Sequence, residues 1–301
     1  MLIAALLVAA LPSAAETAAP AERLAAALDR EYPIADLATR YVASLRVNER
    51  AHRYATLSGC GLAKRLTSDL QAVHRDLHLY VDCTMPAAAV PPERQSPIDL
   101  AQPLPDKPVF YIASSRGWNL TRDACEQVVA AMRLGAGAKY IIVDVRGNHG
   151  GTGIIGDLIA SYLYALDEAQ PLVLARFRDP HRDLLDTTYP YVPGPRYPNA
   201  RVYILVSADT YSAAEGFAFG LQRAGRATVI GQTTGGAGIA AHSIDLGGSL
   251  TASIPNKLLL APDGSPGWEG TGVKPDIVTA LGKEIDTAME LITADLTKNS
   301  E

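Results

Sequence analysis

The feature that most constrains this chain's fold is a series of short apolar segments that begins after Pro108. Val109–Ser114, Tyr140–Val145, Leu172–Arg178, Val202–Val206 and Ala227–Gly231 read as strands. Between them the apolar spacing turns helical, over Thr121–Leu134, Gly156–Leu166 and Ser212–Ala224. Strands that are apolar without alternation are buried on both faces, and helices between them act as crossovers. The pattern therefore predicts a largely parallel sheet covered by helices. A less regular strand, Leu250–Pro255, and a final helix, Lys283–Thr297, complete it, with no internal repeat.

Upstream the pattern is purely helical from Ala21 to about His78. Leu24, Ala27, Leu28 and Tyr32 recur at three- and four-residue spacing, as do Leu62, Leu66, Leu70 and Val73, which predicts a small helical bundle. A short extended piece follows over Leu79–Cys83. The connector from Pro86 to Pro108 carries seven prolines and should lack regular structure through much of its length. The expected organisation is a signal peptide over 1–15, a helical subdomain over 16–83, a Pro-rich connector over 84–108 and an α/β domain over 109–301.

Composition narrows the function classes. Of 301 residues 48% are hydrophobic and 20% charged, which excludes a mostly disordered chain. A net charge of −5 leaves no basic field for nucleic acid. Met1–Ala15 is uncharged, and its apolar run Leu2–Leu11 is too short to span a bilayer but fits the core of a secretory signal. Ser13-Ala14-Ala15 then places a cut before Glu16, although no Lys or Arg precedes the run. An exported protein, periplasmic or secreted, with no stable membrane span is expected. Export would let two of Cys60, Cys83 and Cys125 pair, Cys60 and Cys83 being the closer in sequence. No CxxC or Cys/His cluster suggests zinc, and neither metal nor cofactor is expected.

Four segments could carry chemistry, three of them rich in glycine. Asp144-Val145-Arg146-Gly147-Asn148-His149-Gly150-Gly151 follows a strand but lacks the GxGxxG spacing of a dinucleotide site and a Walker lysine. Its backbone amides better suit an oxyanion hole. Ser207-Ala208-Asp209-Thr210-Tyr211-Ser212-Ala213-Ala214-Glu215 sets Ser212 at the start of a helix. That position fits an exposed nucleophile, and it fits an ordinary N-cap as well. Gly231-Gln232-Thr233-Thr234-Gly235-Gly236-Ala237-Gly238 reads as a wall beside that helix, with His242 a few residues on. Gly267-Trp268-Glu269-Gly270-Thr271-Gly272 is a loop of turn formers around one carboxylate and one aromatic.

A serine nucleophile needs a base. His52 and His74 lie on charged helical stretches and His181 in a polar loop. His78 stands apart, closing the helical region within Arg75-Asp76-Leu77-His78-Leu79. On its own such a histidine is more often structural than a base.

Five of these motifs occur in an order that resembles the carboxyl-terminal (tail-specific) processing peptidases. They are Leu66-Thr67-Ser68-Asp69-Leu70 with Asp76-Leu77-His78-Leu79, the Asp144–Gly151 turn, and Thr210–Glu215 with Gly225–Gly231. Thr234-Gly235-Gly236-Ala237 and Trp268–Asp276 complete the set. The nearer resemblance is to the branch with the interphotoreceptor retinoid-binding protein repeats and the tricorn protease core. It implies a crotonase-like sheet-and-helix domain with a small N-terminal helical subdomain, and no PDZ domain fits between Cys83 and Val109.

The resemblance also implies roles. Ser212 matches the nucleophile, and the Ala213 N–H one oxyanion donor, with Gly150 as the second. Many relatives pair serine with a lysine, where this chain has Ala237. The serine–histidine–glutamate arrangement of tricorn-like members matches Ser212, His78 and Glu269 instead, with His242 as the other candidate base. Leu77 replaces the serine that precedes the tricorn histidine, Gly238 stands where branch members often carry histidine, and His149 adds an imidazole to the oxyanion turn. The implied activity is serine-type hydrolysis of peptide bonds in a peptide or unfolded protein. The competing implication is a weak or inactive member of the fold that binds a hydrophobic small molecule.

Overall fold

The computed structural model describes residues 19–83, 96–165, 171–178 and 183–298. The expected signal segment, the first part of the Pro-rich connector and His181 lie outside the described residues. No described helix is long and apolar enough to cross a membrane. The chain divides into two units: residues 1–88 with 241–256, and residues 89–240 with 257–301. Residues 241–256 thus belong with the helical region, whereas the sequence reading places them in the α/β domain.

In the first unit three helices form where the periodicity places them: α1 (Pro20–Glu31), α2 (Ala35–Arg50) and α3 (Gly59–Val73). Pro20 opens α1, where its missing N–H costs nothing. Leu24, Leu28, Tyr41, Leu45, Leu66 and Leu70 form the buried stripe. Strand β1 (Tyr80–Cys83) follows, and the disulfide Cys60–Cys83 ties it to the start of α3 across a Cα separation of 5.0 Å. The core of this unit is finished by Leu246, Leu250, Ala252 and Ile254 from the later segment.

In the second unit the connector yields a short strand, β2 (Leu100–Pro103), despite its prolines. It lies antiparallel on β3 (Val109–Ala113) at the sheet edge, where a proline's missing N–H is tolerated. Next come α4 (Arg122–Arg133), β4 (Tyr140–Asp144) and α5 (Gly153–Ser161). Helix α5 starts before the expected Gly156 because Thr152 caps it, Oγ1 accepting the Ile154 N–H at 3.4 Å. The strands β5 (Val173–Arg178) and β6 (Asp183–Thr187) form an antiparallel hairpin whose second strand, charged and uneven, was not expected. Then follow β7 (Arg201–Val206), α6 (Ala213–Arg223) and β8 (Ala227–Gly231).

Strands β9 (Ile239–Gly247) and β10 (Leu250–Leu260) pair with each other. The loop between them, Gly248 and Ser249, has φ of +62° and +63°, the backbone that tight hairpins require. The first residues of β10 pair with β1, and its last residues, Leu258–Leu260, pair with β5. The chain closes with β11 (Ile277–Val278) and α7 (Glu284–Lys298).

The main sheet of the second unit has the order β11-β8-β7-β4-β3-β2, parallel except for β2. One face buries Phe110, Ile112, Ile141, Val143, Val202 and Ile204 against α4, α5 and α6. The other buries Tyr140, Ile142, Tyr203 and Leu205 against Ala288 and Ile292 of α7. The unit is therefore a mixed α/β fold with helices on both faces. Neighbouring strands β4, β7 and β8 point the same way, so the three turns that follow them gather at the carboxyl edge of the sheet.

Candidate active site

The turns after β4 and β7 are laced together. Thr210 Oγ1 donates to the Val145 carbonyl at 2.9 Å, the Tyr211 N–H donates to the Asn148 carbonyl at 2.9 Å, and the Ser207 hydroxyl donates to the Arg146 carbonyl. Buried Asn148 braces the first turn: its amide donates to the Ser114 carbonyl, and its Oδ1 accepts the Gly150 N–H, both at 2.8 Å. The two turns touch at Gly150. A Cβ added there would stand 2.7 Å from Ser212 Cβ and 2.8 Å from the Ala213 nitrogen, so only glycine fits.

Ser212 occupies the N-cap position of α6 with φ +52° and ψ −121°. An N-cap residue ordinarily has extended backbone. A positive φ in a residue with a Cβ is strained, and such strain is retained where the surroundings enforce it. The enforcing group is Glu215. Fully buried, its carboxylate accepts the Ser212 N–H at 2.8 Å, the Gly236 N–H at 2.7 Å, the Ala237 N–H at 2.8 Å and the Thr234 hydroxyl. One carboxylate thus fixes both the serine turn and the glycine-rich loop after β8. This role was missed from sequence, although Ser212 and Glu215 have the spacing of a capping box.

The expected oxyanion donors need one correction. The Ala213 N–H has no acceptor among the described residues. The Gly150 N–H is already given to Asn148. The next N–H in that turn, at Gly151, has no acceptor among the described residues, and Gly151 (φ +128°) borders the same cavity as Ser212 and Ala213. That cavity holds about 100 Å³ and is walled by Phe177, Phe217, Ile239 and Leu259.

Glu269 reaches the glycine-rich loop, its Oε2 accepting the Gly238 N–H at 2.6 Å. Ala237, at the position of the relatives' lysine, is buried. Exposed His149 sits between Asn148 and Gly150.

His78 belongs to the first unit. Its backbone N–H donates to Asp76 Oδ1 at 2.8 Å, and Asp76 also accepts the Tyr32 hydroxyl at 2.8 Å. Gln71 Nε2 donates to the Asp76 and Leu79 carbonyls, which fixes the loop on both sides of the imidazole. Burial pushes the His78 pKa below its ordinary value, and the Asp76 carboxylate only partly opposes this. His242, the other candidate base, is committed within the same unit: its Nε2 lies 2.6 Å from Glu31 Oε2.

The model of Peptidase family S41 matches residues 109–279. Among solved structures the fold is similar to a lipoprotein from Streptococcus agalactiae, at TM-score 0.69 and 13% identity, covering 96% of this chain and 100% of that one. It is similar also to a putative peptidase from Parabacteroides merdae, at TM-score 0.63 and 16% identity, over 92% of this chain and 97% of that one. A putative S41 protease from Bacteroides fragilis matches at TM-score 0.56 and 18% identity, over 66% and 58% respectively. At these identities the likenesses speak to the fold alone.

Proposed function

The chain belongs to Peptidase family S41, and we propose that it hydrolyses peptide bonds in peptides or unfolded proteins with Ser212 as nucleophile. The observation that carries this reading is the Ser212 backbone, held at φ +52° and ψ −121° at the head of a helix. That conformation lifts a serine hydroxyl off the carboxyl edge of a sheet and turns the next N–H toward the same space.

The proposed chemistry is acyl transfer. Ser212 Oγ attacks the substrate carbonyl carbon and gives its proton to His78, which burial keeps neutral at pH 7. Glu269 orients the imidazole. The negative charge that develops on the carbonyl oxygen is held by the N–H groups of Ala213 and Gly151, the second replacing Gly150 because Asn148 takes the Gly150 N–H. Protonated His78 then supplies the proton that the departing amine needs. Water, activated by the same imidazole, cleaves the acyl-enzyme and restores Ser212.

Three further parts of the reading rest on motifs. Ala237 in place of lysine favours the tricorn-like and retinoid-binding branch. The sheet is assigned as crotonase-like, without an inserted PDZ domain. Export to the periplasm or outside the cell is supported by the Leu2–Leu11 run and by the Cys60–Cys83 disulfide, a bond of oxidising compartments. The carrier reading finds less support: the cavity beside Ser212 is about 100 Å³, against roughly 300–1,000 Å³ for sites that enclose drug-sized ligands.

The test is turnover of an unfolded protein by the full chain, beside Ser212→Ala and His78→Ala. Loss in both, with circular dichroism unchanged, is expected. Turnover that survives Ser212→Ala refutes the nucleophile, and turnover that survives only His78→Ala reassigns the base.

A further inference from the structure

The cavity beside Ser212 has two carboxyl groups in an otherwise apolar lining. Asp157 comes from α5 and Asp186 from β6; the walls are Phe177, Phe217, Ile239 and Leu259. Asp157 is 9% exposed, and it is the only charge in its helix. Both carboxyls line this one cavity. Among the described residues no lysine, arginine or histidine pairs with either. Burial first, and then the neighbouring Asp186, push the Asp157 carboxyl above the ordinary carboxylate range, and burial raises Asp186 as well. Two carboxyl groups, one of them buried, thus share a small, mostly apolar cavity with no cationic partner among the described residues.

Such an arrangement destabilises the fold unless something offsets it, and a buried charge is offset by a partner of opposite sign. The lining says what kind of partner. Apolar walls suit a long methylene stem, and the acid pair suits a cationic head that can satisfy both carboxylates at once. Ser212 and Ala213, beside which the reacting carbonyl would sit, line the same cavity.

We propose that Asp157 and Asp186 make this cavity a specificity pocket for a lysine or arginine side chain on the residue whose carbonyl Ser212 attacks. The inference rests on Ser212 being the nucleophile. Entry of the cation favours the ionised form of both carboxyls, and any proton held there leaves to solvent. Both are specificity residues and take no part in bond making.

Two measurements test this on the full chain. The first uses fluorogenic peptides that differ only at the residue before the scissile bond: lysine, arginine, or their uncharged counterparts norleucine and citrulline. Wild-type kcat/KM should favour the cationic member by about tenfold or more, the discrimination expected of a desolvated charge pair. Asp186→Asn should bring that ratio toward one, whether or not its absolute rate also falls. Equal rates for charged and neutral peptides overturn the proposal while leaving the peptidase reading intact. Hydrolysis of no peptide, with or without Ser212, removes the reading instead.

The second measurement needs no turnover. Benzamidine, compared with neutral benzamide, should raise the melting temperature of the Ser212→Ala protein, and this shift should vanish in Ser212→Ala/Asp186→Asn. Asp157→Asn, isosteric and neutral, serves as the second variant if Asp186→Asn unfolds. No benzamidine shift in the Ser212→Ala protein, or a shift of equal size in a variant that lacks the acid pair, overturns the pocket assignment.

Discussion

Replacing Glu215 by glutamine probes how the nucleophile turn is held. The carboxylate accepts the Thr234 hydroxyl and the Gly236 N–H on Oε1, and the Ser212 and Ala237 N–H groups on Oε2. A glutamine keeps one oxygen and sets an NH2 in place of the other. With the NH2 on the Ser212 side, two backbone N–H groups would face a donor. With it on the Thr234 side only the Gly236 N–H does, because the Thr234 hydroxyl can rotate and accept. The second orientation wins. It orphans one buried N–H, at about 1–3 kcal/mol, and reduces the surviving charge-assisted bonds to neutral ones, at about 1 kcal/mol each. An amide is easier to bury than a carboxylate, which offsets part of this and leaves a net loss of about 2–4 kcal/mol. Urea unfolding followed by the fluorescence of the buried Trp118 and Trp268 should show a lower midpoint at unchanged slope. Because the favoured orientation still accepts the Ser212 N–H, the folded variant should keep measurable turnover, whereas Glu215→Ala, which leaves every donor orphaned, should not. A glutamine variant as stable as the parent, or an active alanine variant, would refute the reasoning.

Three other perturbations have defined outcomes. Gly151→Ala would put a Cβ 2.1 Å from the Trp118 carbonyl oxygen at φ +128°, so its unfolding midpoint should fall by the equivalent of at least about 2 kcal/mol. Breaking Cys60–Cys83, which closes a loop of sequence separation 23, should cost about 3 kcal/mol; a Cys60→Ser/Cys83→Ser protein with the parent's urea midpoint would count against it. Two pH profiles follow from the shifted groups. With His78 lowered by burial, kcat/KM should fall on acidification only below the ordinary imidazole pKa near 6.5, and an inflection above 7 would exclude His78 as base. With Asp157 raised, the folded state binds more protons than the unfolded one from about pH 4 upward, so wild-type stability should decline as pH rises through that range. Asp157→Asn should flatten the decline in denaturant midpoints taken between pH 5 and 9.

Much of the second unit was legible because its central strands are buried on both faces. Tyr140–Asp144 and Arg201–Val206 offer no alternation to misread, and the first is followed by a glycine-rich turn. The elements missed are those whose residues do not share one environment. Ile239–Gly247 mixes alanine, histidine and aspartate, and its last residues fill the core of the other unit, so no period marks it. Asp183–Thr187 is two acids and a threonine around a leucine pair, ordinary for a loop. Gly150 and Ser212 were placed correctly in their turns, but which N–H is already engaged depends on Asn148, a contact set by the bend of one turn. The Asp157–Asp186 pair joins a helix to a strand far along the chain. Its only trace in the sequence is a lone aspartate inside the apolar run Gly153–Ser161.

The division of the first unit into two chain segments has a consequence for the order in which the molecule can be completed. Leu246, Leu250, Ala252 and Ile254 are part of the core beneath the first three helices, yet a ribosome delivers them only after most of the α/β unit has emerged. Until then Leu24, Leu28, Leu66 and Leu70 lack their cover. The unit that begins first must finish late, and its core closes through contacts of long sequence separation, which are slow to form. The nascent chain therefore carries an open apolar surface through most of its synthesis, the state in which chaperones and aggregation compete. A break after residue 240 would leave that surface open permanently.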